Sequence, residues 1–184
     1  TLDSGYTSVN IVYHTSTRQL YVFTFTATCS LIKINADTMT KAAIVSISTL
    51  NKDCVYTASN HNDHIVIISS GTPASLFRYH TGFDTHDGTL VFTETNDDDG
   101  VGVIVDNQNS QIAYTKFHND LTPPRVAKVN IDTMNQIGST YQASADDALR
   151  GWIGLEQDDL HLYVTSGTPC LLLKVRKSDM AQLA

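Results

Sequence analysis

The sequence predicts an all-β protein, a β-propeller of four four-stranded antiparallel blades of about 46 residues each. Three observations carry that expectation. A short apolar run recurs as Leu20-Tyr21-Val22-Phe23, Ile65-Val66-Ile67-Ile68, Ile112-Ala113-Tyr114 and Leu162-Tyr163-Val164, at spacings of 45, 47 and 50 residues. Downstream of each, a basic residue (Lys33, Arg78, Lys128 or Lys174) holds the same place in another apolar run. In three copies a methionine, Met39, Met134 or Met180, follows that lysine by six residues in a turn-forming context. A period between roughly 20 and 50 residues decides the architecture before any local reading does.

The first element of each copy is the apolar stretch Ile11-Val12-Tyr13, Val55-Tyr56-Thr57, Val103-Ile104-Val105 or Trp152-Ile153-Gly154-Leu155. Polar turns at 14–19, 59–64, 106–111 and 156–161 join it to the recurring run. They are dense in Asn, Asp, Ser and Gln, residues whose side chains bond nearby backbone and tolerate turn dihedrals, so the pair reads as a β-hairpin. The third element spans 29–34, 74–79, 124–129 and 170–175. Thr72-Pro73, Thr122-Pro123 and Thr168-Pro169 precede three of these. Proline has no N–H to give to a ladder, so each Thr-Pro reads as the loop feeding a strand start.

Turns at Asp37-Thr38-Met39, Asp132-Thr133-Met134 and Ser178-Asp179-Met180 then lead into a fourth, weaker strand, expected at 42–47, 89–93, 136–141 and the stub Gln182-Leu183. The second copy departs from this pattern. It carries Thr81-Gly82-Phe83-Asp84-Thr85-His86-Asp87-Gly88 where the others have a short turn, which predicts a protruding hairpin. With no helical periodicity of any length, the choice lies between propeller blades and a sixteen-strand sandwich, and the regular internal similarity favours blades. The reading is one propeller segment over 1–184, with blades at about 1–47, 48–95, 96–142 and 143–184.

These units resemble the YVTN-type surface-protein propeller repeats: a Tyr-Val strand, a Thr-Ser-Pro-like loop, a Val-Lys-Val-Asp-like strand and an Asp-Thr-Met turn. The resemblance spans all four units, is clearest over 20–40 and 112–135, and is poorest at 83–88. It implies an exported or surface-attached protein that binds partners without catalysis. It implies no chemistry, because one blade fold hosts both binders and enzymes.

Ring closure is a separate matter. The chain begins just before an innermost strand and stops within an outermost one, so no strand exchange latches a four-bladed ring. An open arc leaves an uncovered face on each terminal blade, and the expectation is a larger ring or association with another copy. Cys29 and Cys170 hold equivalent positions in the first and fourth copies, about a blade spacing of ~10 Å apart even in a closed ring, beyond the ~7 Å reach of a disulfide. With Cys54 they make an odd count of 3 and no CxxC pair, so neither a disulfide framework nor a zinc site is signalled.

Composition excludes some classes. A net charge of −7, with only 12 Lys and Arg and no basic stripe, argues against a nucleic-acid partner. No apolar run approaches the ~18 residues of a membrane span. The acidic residues Asp3, Asp53, Asp97, Asp98, Asp99, Asp146 and Asp147 all fall between an outermost strand and the next innermost one, on one face of a propeller. That face reads either as a solvated surface or as an oxygen-rich site for Ca²⁺ or a basic ligand. Asp97, Asp98 and Asp99 are its metal candidates, although their spacing is not that of an EF-hand. The other metal candidates are His80, Asp84 and His86 with Asp87, in the irregular second copy, and His61 with His64 in a hairpin turn. No G-x-S-x-G, Walker, Rossmann or H-E-x-x-H motif is present, and Trp152 reads as packing in an innermost strand. The favoured reading is a noncatalytic module, extracellular or at the cell surface, without a cofactor, that contacts a protein or glycan partner. The alternatives are a self-assembling subunit of a filament, appendage or virion, and a metal-dependent propeller lyase or hydrolase.

Overall fold

The computed structural model describes residues 7–25, 30–46, 54–59, 62–69, 73–93, 99–119, 122–143, 154–165 and 172–183. These residues form a β-propeller arc without helices. The first blade is β1 (Thr7–His14), β2 (Gln19–Phe25), β3 (Ser30–Asn35) and β4 (Lys41–Ser46), and the second is β5 (Cys54–Ser59), β6 (His64–Ser69), β7 (Ser75–His80) and β8 (Thr85–Val91). The third holds β9 (Asp99–Val105), β10 (Ile112–Asn119) and β11 (Thr122–Asn130), with β12 (Asn135–Gln136) and β13 (Tyr141–Gln142) both paired to β11. The fourth holds β14 (Leu155–Gln157), β15 (His161–Thr165) and β16 (Leu172–Arg176), plus a single bridge from Val175 to Gln182. Each sheet runs in sequence order from the inner strand outward, every pair antiparallel.

Strand alternation stacks the blades. Along β2, Tyr21 and Phe23 turn with Leu31 toward the second blade, where they meet Ile65, Ile67, Phe77 and Tyr79. One repeat later Val66, Ile68 and Leu76 meet Val103, Val105, Ala127 and Val129 of the third blade. Tyr114 and Val126 then meet Leu162, Val164, Leu173 and Val175 of the fourth. Gly100 lies so close to the second blade that a Cβ would fall 2.6 Å from the Ser69 carbonyl oxygen and against the Ile68 side chain, so no larger residue fits there.

Three sequence expectations change. The second blade's outer hairpin does not protrude: Asp84 takes the left-handed conformation (φ 52) at the place of Met39 (φ 53), Met134 (φ 50) and Met180 (φ 58). The bulge also matches, Lys33↔Ala43 then Ile34↔Lys41 in the first blade against Arg78↔Gly88 then Tyr79↔His86 in the second. The eight residues that resembled an insertion are the common turn plus an earlier start of β8, so the strand covers 85–91 rather than 89–93. In the third blade Thr122-Pro123 lies inside β11 instead of in a loop before it, pairing at Asn119↔Thr122. The expected strand 136–141 divides into β12 and β13 because the chain turns at Gly138 (φ 68), with Gln136 Nε2 donating to the Gly138 carbonyl and the Thr140 hydroxyl. Cys29, Cys170, Trp152 and the inter-blade residues Asp3, Asp53, Asp97, Asp98, Asp146 and Asp147 lie outside the described residues.

Candidate functional site

The basic residues of the third strands of the first three blades have a common task. Lys33 of the first blade reaches the outer turn of the second, 2.5 Å from Asp84 Oδ1. Arg78 of the second donates to the carbonyls of Ile131 and Asp132 in the third blade's turn, at 2.9 and 2.7 Å. Lys128 of the third donates to the Lys177 carbonyl in the turn of the fourth, at 3.1 Å. In three copies the ammonium also lies over the tyrosine it faces across the strand pair, Lys33 on Tyr21 at 5.8 Å, Lys128 on Tyr114 at 5.9 Å and Lys174 on Tyr163 at 5.8 Å. A carbonyl or carboxylate in the next blade's turn replaces the water lost by a cation half-buried between sheets.

A second set of bonds joins the inner hairpin turns. Buried His14 donates from Nε2 to the Asn62 carbonyl of the second blade at 2.8 Å, which leaves its Nδ1 to accept from Ser16 and Thr17. At the third junction Asn107 and Gln108 both donate to Asp159, at 2.9 and 2.8 Å, and Gln157 Nε2 donates to the Val105 carbonyl at 2.6 Å.

The third junction also has a charged centre. Asp106 accepts from the Tyr114 hydroxyl at 2.8 Å, the Gln108 amide at 2.8 Å and Lys177 Nζ at 3.2 Å, with only 9% and 7% of the two charged side chains exposed. Burial by itself would raise the Asp106 carboxyl, but the Gln108 amide, Tyr114 hydroxyl and Lys177 ammonium together hold it below the ordinary carboxylate range. Burial, then the bond to Asp106, pushes the Tyr114 phenol well above its usual value. Beside this centre opens a cleft of about 340 Å³ lined by Asp106, Tyr114, Lys128, Asp159, Leu160 and His161. Deeper in the same junction Lys116 is fully buried, its ammonium has no hydrogen-bond partner among the described residues, and burial lowers its pKa to about 7.

The second-copy candidates do not converge on one point. His80 sits where the first and third blades have Asn35 and Asn130, and its Nδ1 accepts from the Gly82 and Phe83 amides as those carboxamides accept from Thr38 and Thr133. Asp84 binds Lys33 and, at 2.9 Å, the Tyr79 hydroxyl. His86 Nε2 lies 2.9 Å from the Gly88 carbonyl and 2.8 Å from the Thr89 hydroxyl, while Asp87 bonds Arg78 at 2.8 Å and His64 at 3.3 Å. Among the described residues, no three His, Cys, Asp or Glu side chains form a group able to hold a metal ion. Asp99 opens β9 as a described backbone position only, and His61, like Asp97 and Asp98, lies outside the described residues. The cleft and the buried Asp106–Lys177 pair were not foreseen; the Asp-Asn run of the 106–111 turn is the only sequence signal for them.

No protein-family model matches the sequence, and no curated protein matches it. Solved structures do. The arc resembles the WD40 repeats of RRP9, with a TM-score of 0.76 at 11% identity over 98% of this chain and 51% of that one. It also resembles hydrazine synthase of Kuenenia stuttgartiensis, with a TM-score of 0.77 at 9% identity over 96% of this chain and 48% of that one. The β-propeller domain of Myceliophteria thermophila Cps50 (Swd1) gives a TM-score of 0.67 at 12% identity over 96% and 53%. The chain therefore spans about half the length of these structures, and at such identities the likeness establishes the fold alone.

Proposed function

We propose that the chain is a noncatalytic binding and scaffolding module, of the YVTN-like surface kind, that receives a protein or glycan partner in the cleft between its third and fourth blades. One observation carries this reading. The polar side chains that could do chemistry are bonded across blade junctions, His14, Asp84 and Arg78 elsewhere and Asp106 with Lys177 in the wall of the cleft, whose lip adds exposed Leu160 and Asp159. Concave sites that mix an apolar wall with a few placed polar groups are where ligands bind. Leu160, 67% exposed on the lip, supplies the apolar contact, while Asp159 and His161 supply hydrogen bonds.

The test is binding to a glycan array and to a panel of extracellular proteins, with the parent and Leu160→Asp side by side. The expected result is a ligand held by the parent, recovered chemically unchanged, and bound at least tenfold more weakly by the variant. A ligand that is converted on incubation, or one bound equally by both, overturns the reading. Surface setting is checked by labelling intact cells with an impermeant amine reagent; an unlabelled protein in intact cells that labels after lysis removes it.

A further inference from the structure

The outer turn of the second blade repeats that of its neighbours with one substitution that can titrate. In the first blade the Asn35 carboxamide oxygen accepts from the amides of Asp37 and Thr38, at 3.0 and 2.9 Å, and in the third blade that of Asn130 accepts from the amide and hydroxyl of Thr133. In the second blade His80 Nδ1 accepts from the amides two and three residues on, Gly82 at 3.1 Å and Phe83 at 3.3 Å. A backbone amide only donates, so Nδ1 holds the lone pair and Nε2 the hydrogen. The next proton this ring takes goes to Nδ1 itself, and both acceptor bonds are lost with it. A carboxamide oxygen undergoes no such change.

The surroundings give an imidazolium little compensation. His64 of β6 meets His80 edge-on at 4.7 Å, a second imidazole rather than a counter-charge. Burial holds His64 below the ordinary imidazole value, against the pull of Asp87, so it takes its own proton at more acid pH. The carboxylates of the packed elements are engaged elsewhere: Asp87 of β8 by Arg78 of β7 and by His64, Asp84 in the turn by Lys33 and Tyr79, and Asp63 before β6 by the Ser16 hydroxyl at 3.5 Å. Among the described residues none of them bonds the His80 ring. The Phe83 ring, tilted over His80 at 4.4 Å, favours a cation, but it reaches that place through the turn its own amide closes.

Asp84 extends the consequence to the neighbouring blade. It sits in this turn in the left-handed conformation (φ 52) and receives both Lys33 of the first blade and the Tyr79 hydroxyl. Thr81 is tied separately, its amide and hydroxyl both donating to the Asp63 carbonyl, at 2.7 and 3.1 Å, which confines any movement to 82–84. We propose that His80 is an acid switch in the joint between the first and second blades: a proton on Nδ1 releases the Gly82 and Phe83 amides, the 82–84 turn opens, and Asp84 lets go of Lys33. The switch goes beyond the binding reading above and does not involve the cleft, so failure of either leaves the other standing.

The experiment is nuclear magnetic resonance of the whole chain, with EDTA present throughout, from about pH 8 to about pH 5, the range in which imidazoles gain their charge. At the alkaline end the nitrogen-15 signals of His80 are expected to show a bare Nδ1 and a protonated Nε2. As pH falls, the Gly82 and Phe83 amides should lose roughly tenfold in protection from hydrogen exchange, corrected for intrinsic rate, in step with the His80 signals. The Lys33 ammonium signals should shift with them, while the Asp37, Thr38 and Thr133 amides keep their protection. His80→Asn installs the residue of the sibling turns and is expected to hold both amides at every pH, to match the parent's melting temperature at the alkaline end and to exceed it by roughly 3 °C at the acid end. His64→Gln should leave the parent's transition in place. A parent whose two amides stay protected overturns the proposal, as does a His80→Asn variant that loses protection alongside the parent. A His64→Gln variant without the transition overturns it too, since the titrating ring would then be His64. Lys33 signals that stay fixed while the amides open overturn the link to the joint.

Discussion

The second and third blade junctions are built from the same strands in the same register, yet they solve burial differently. Between blades two and three the described interface is mainly hydrocarbon and aromatic, Phe92 meeting Phe117 edge-on at 4.6 Å among Val66, Ile68, Leu76, Val103 and Val129; Arg78 reaches across it to end on backbone carbonyls, and buried Arg125 lies across the strand pair from Phe117 on the same face. Between blades three and four lie an ion pair, a phenol ringed by two ammoniums (Lys128 at 5.9 Å, Lys177 at 5.8 Å) and, deeper, Lys116, whose ammonium has no hydrogen-bond partner among the described residues. The contrast teaches that blade stacking needs only alternating apolar residues. Polar groups in the interface are an addition, stabilising where each has a partner and destabilising where one does not.

The largest effect should come from the apolar junction. Phe117→Ala removes a ring that is 1% exposed and leaves a cavity between two blades, at a cost of about 3–5 kcal/mol. That corresponds to a fall in melting temperature of roughly 10 °C for a chain of this size. A calorimetric shift under about 2 °C would mean that the second and third blades do not share a cooperative core.

The contrast also marks what the sequence discloses. The period, the hairpins and the strand-3 cation are visible because each recurs at a fixed offset, and backbone pairing repeats with it. The role of that cation is not visible, because its acceptor is a backbone carbonyl in two junctions and Asp84 in the first. Asp84 itself was obscured by residue type: it replaces the methionine of the other turns, and His80 replaces the asparagine, so the second turn looked like an insertion. Counting would have found it, since Arg78 to Asp84 is the same six-residue step as Lys33 to Met39. The Asp106–Lys177 pair joins residues 71 apart in sequence, a separation that only the stacking of blades closes.

Lys116 is a sharper test, because its predicted effect has the opposite sign. Its equivalents Phe23 and Ile68 are apolar, and a buried ammonium with no partner is held at a cost. With its pKa lowered from 10.5 to about 7, the folded state binds fewer protons than the unfolded chain between those values, so stability rises with pH across that window. Lys116→Met should stabilise the protein at pH 7 by roughly 3 kcal/mol, less than the ~5 kcal/mol the full shift implies because a folded protein relaxes around a buried charge. The gain should shrink toward zero as pH approaches 10.5. Melting curves of parent and variant that stay parallel from pH 7 to 10 would show the amine to be solvated.

The smallest effect belongs to the satisfied pair, and its pH dependence runs the other way. Asp106 is held below its ordinary value in the folded state, so its contribution is complete above the unfolded carboxylate value of 3.8 and is lost as pH falls through the lower folded value. Asp106→Asn keeps an acceptor for the Tyr114 hydroxyl and the Gln108 amide but leaves Lys177 without a counter-charge, at a cost of about 2 kcal/mol near neutrality. As pH falls from 3.8 through the lower folded value the parent carboxyl itself becomes neutral, so the two stabilities should converge. Urea titrations at pH 7 and at successively more acid pH below 3.8 follow that convergence. If the deficit persists undiminished in acid, the lost term is the shape of the 106–111 turn rather than the charge on Asp106, and the third junction then resembles the second more closely than its polar lining suggests.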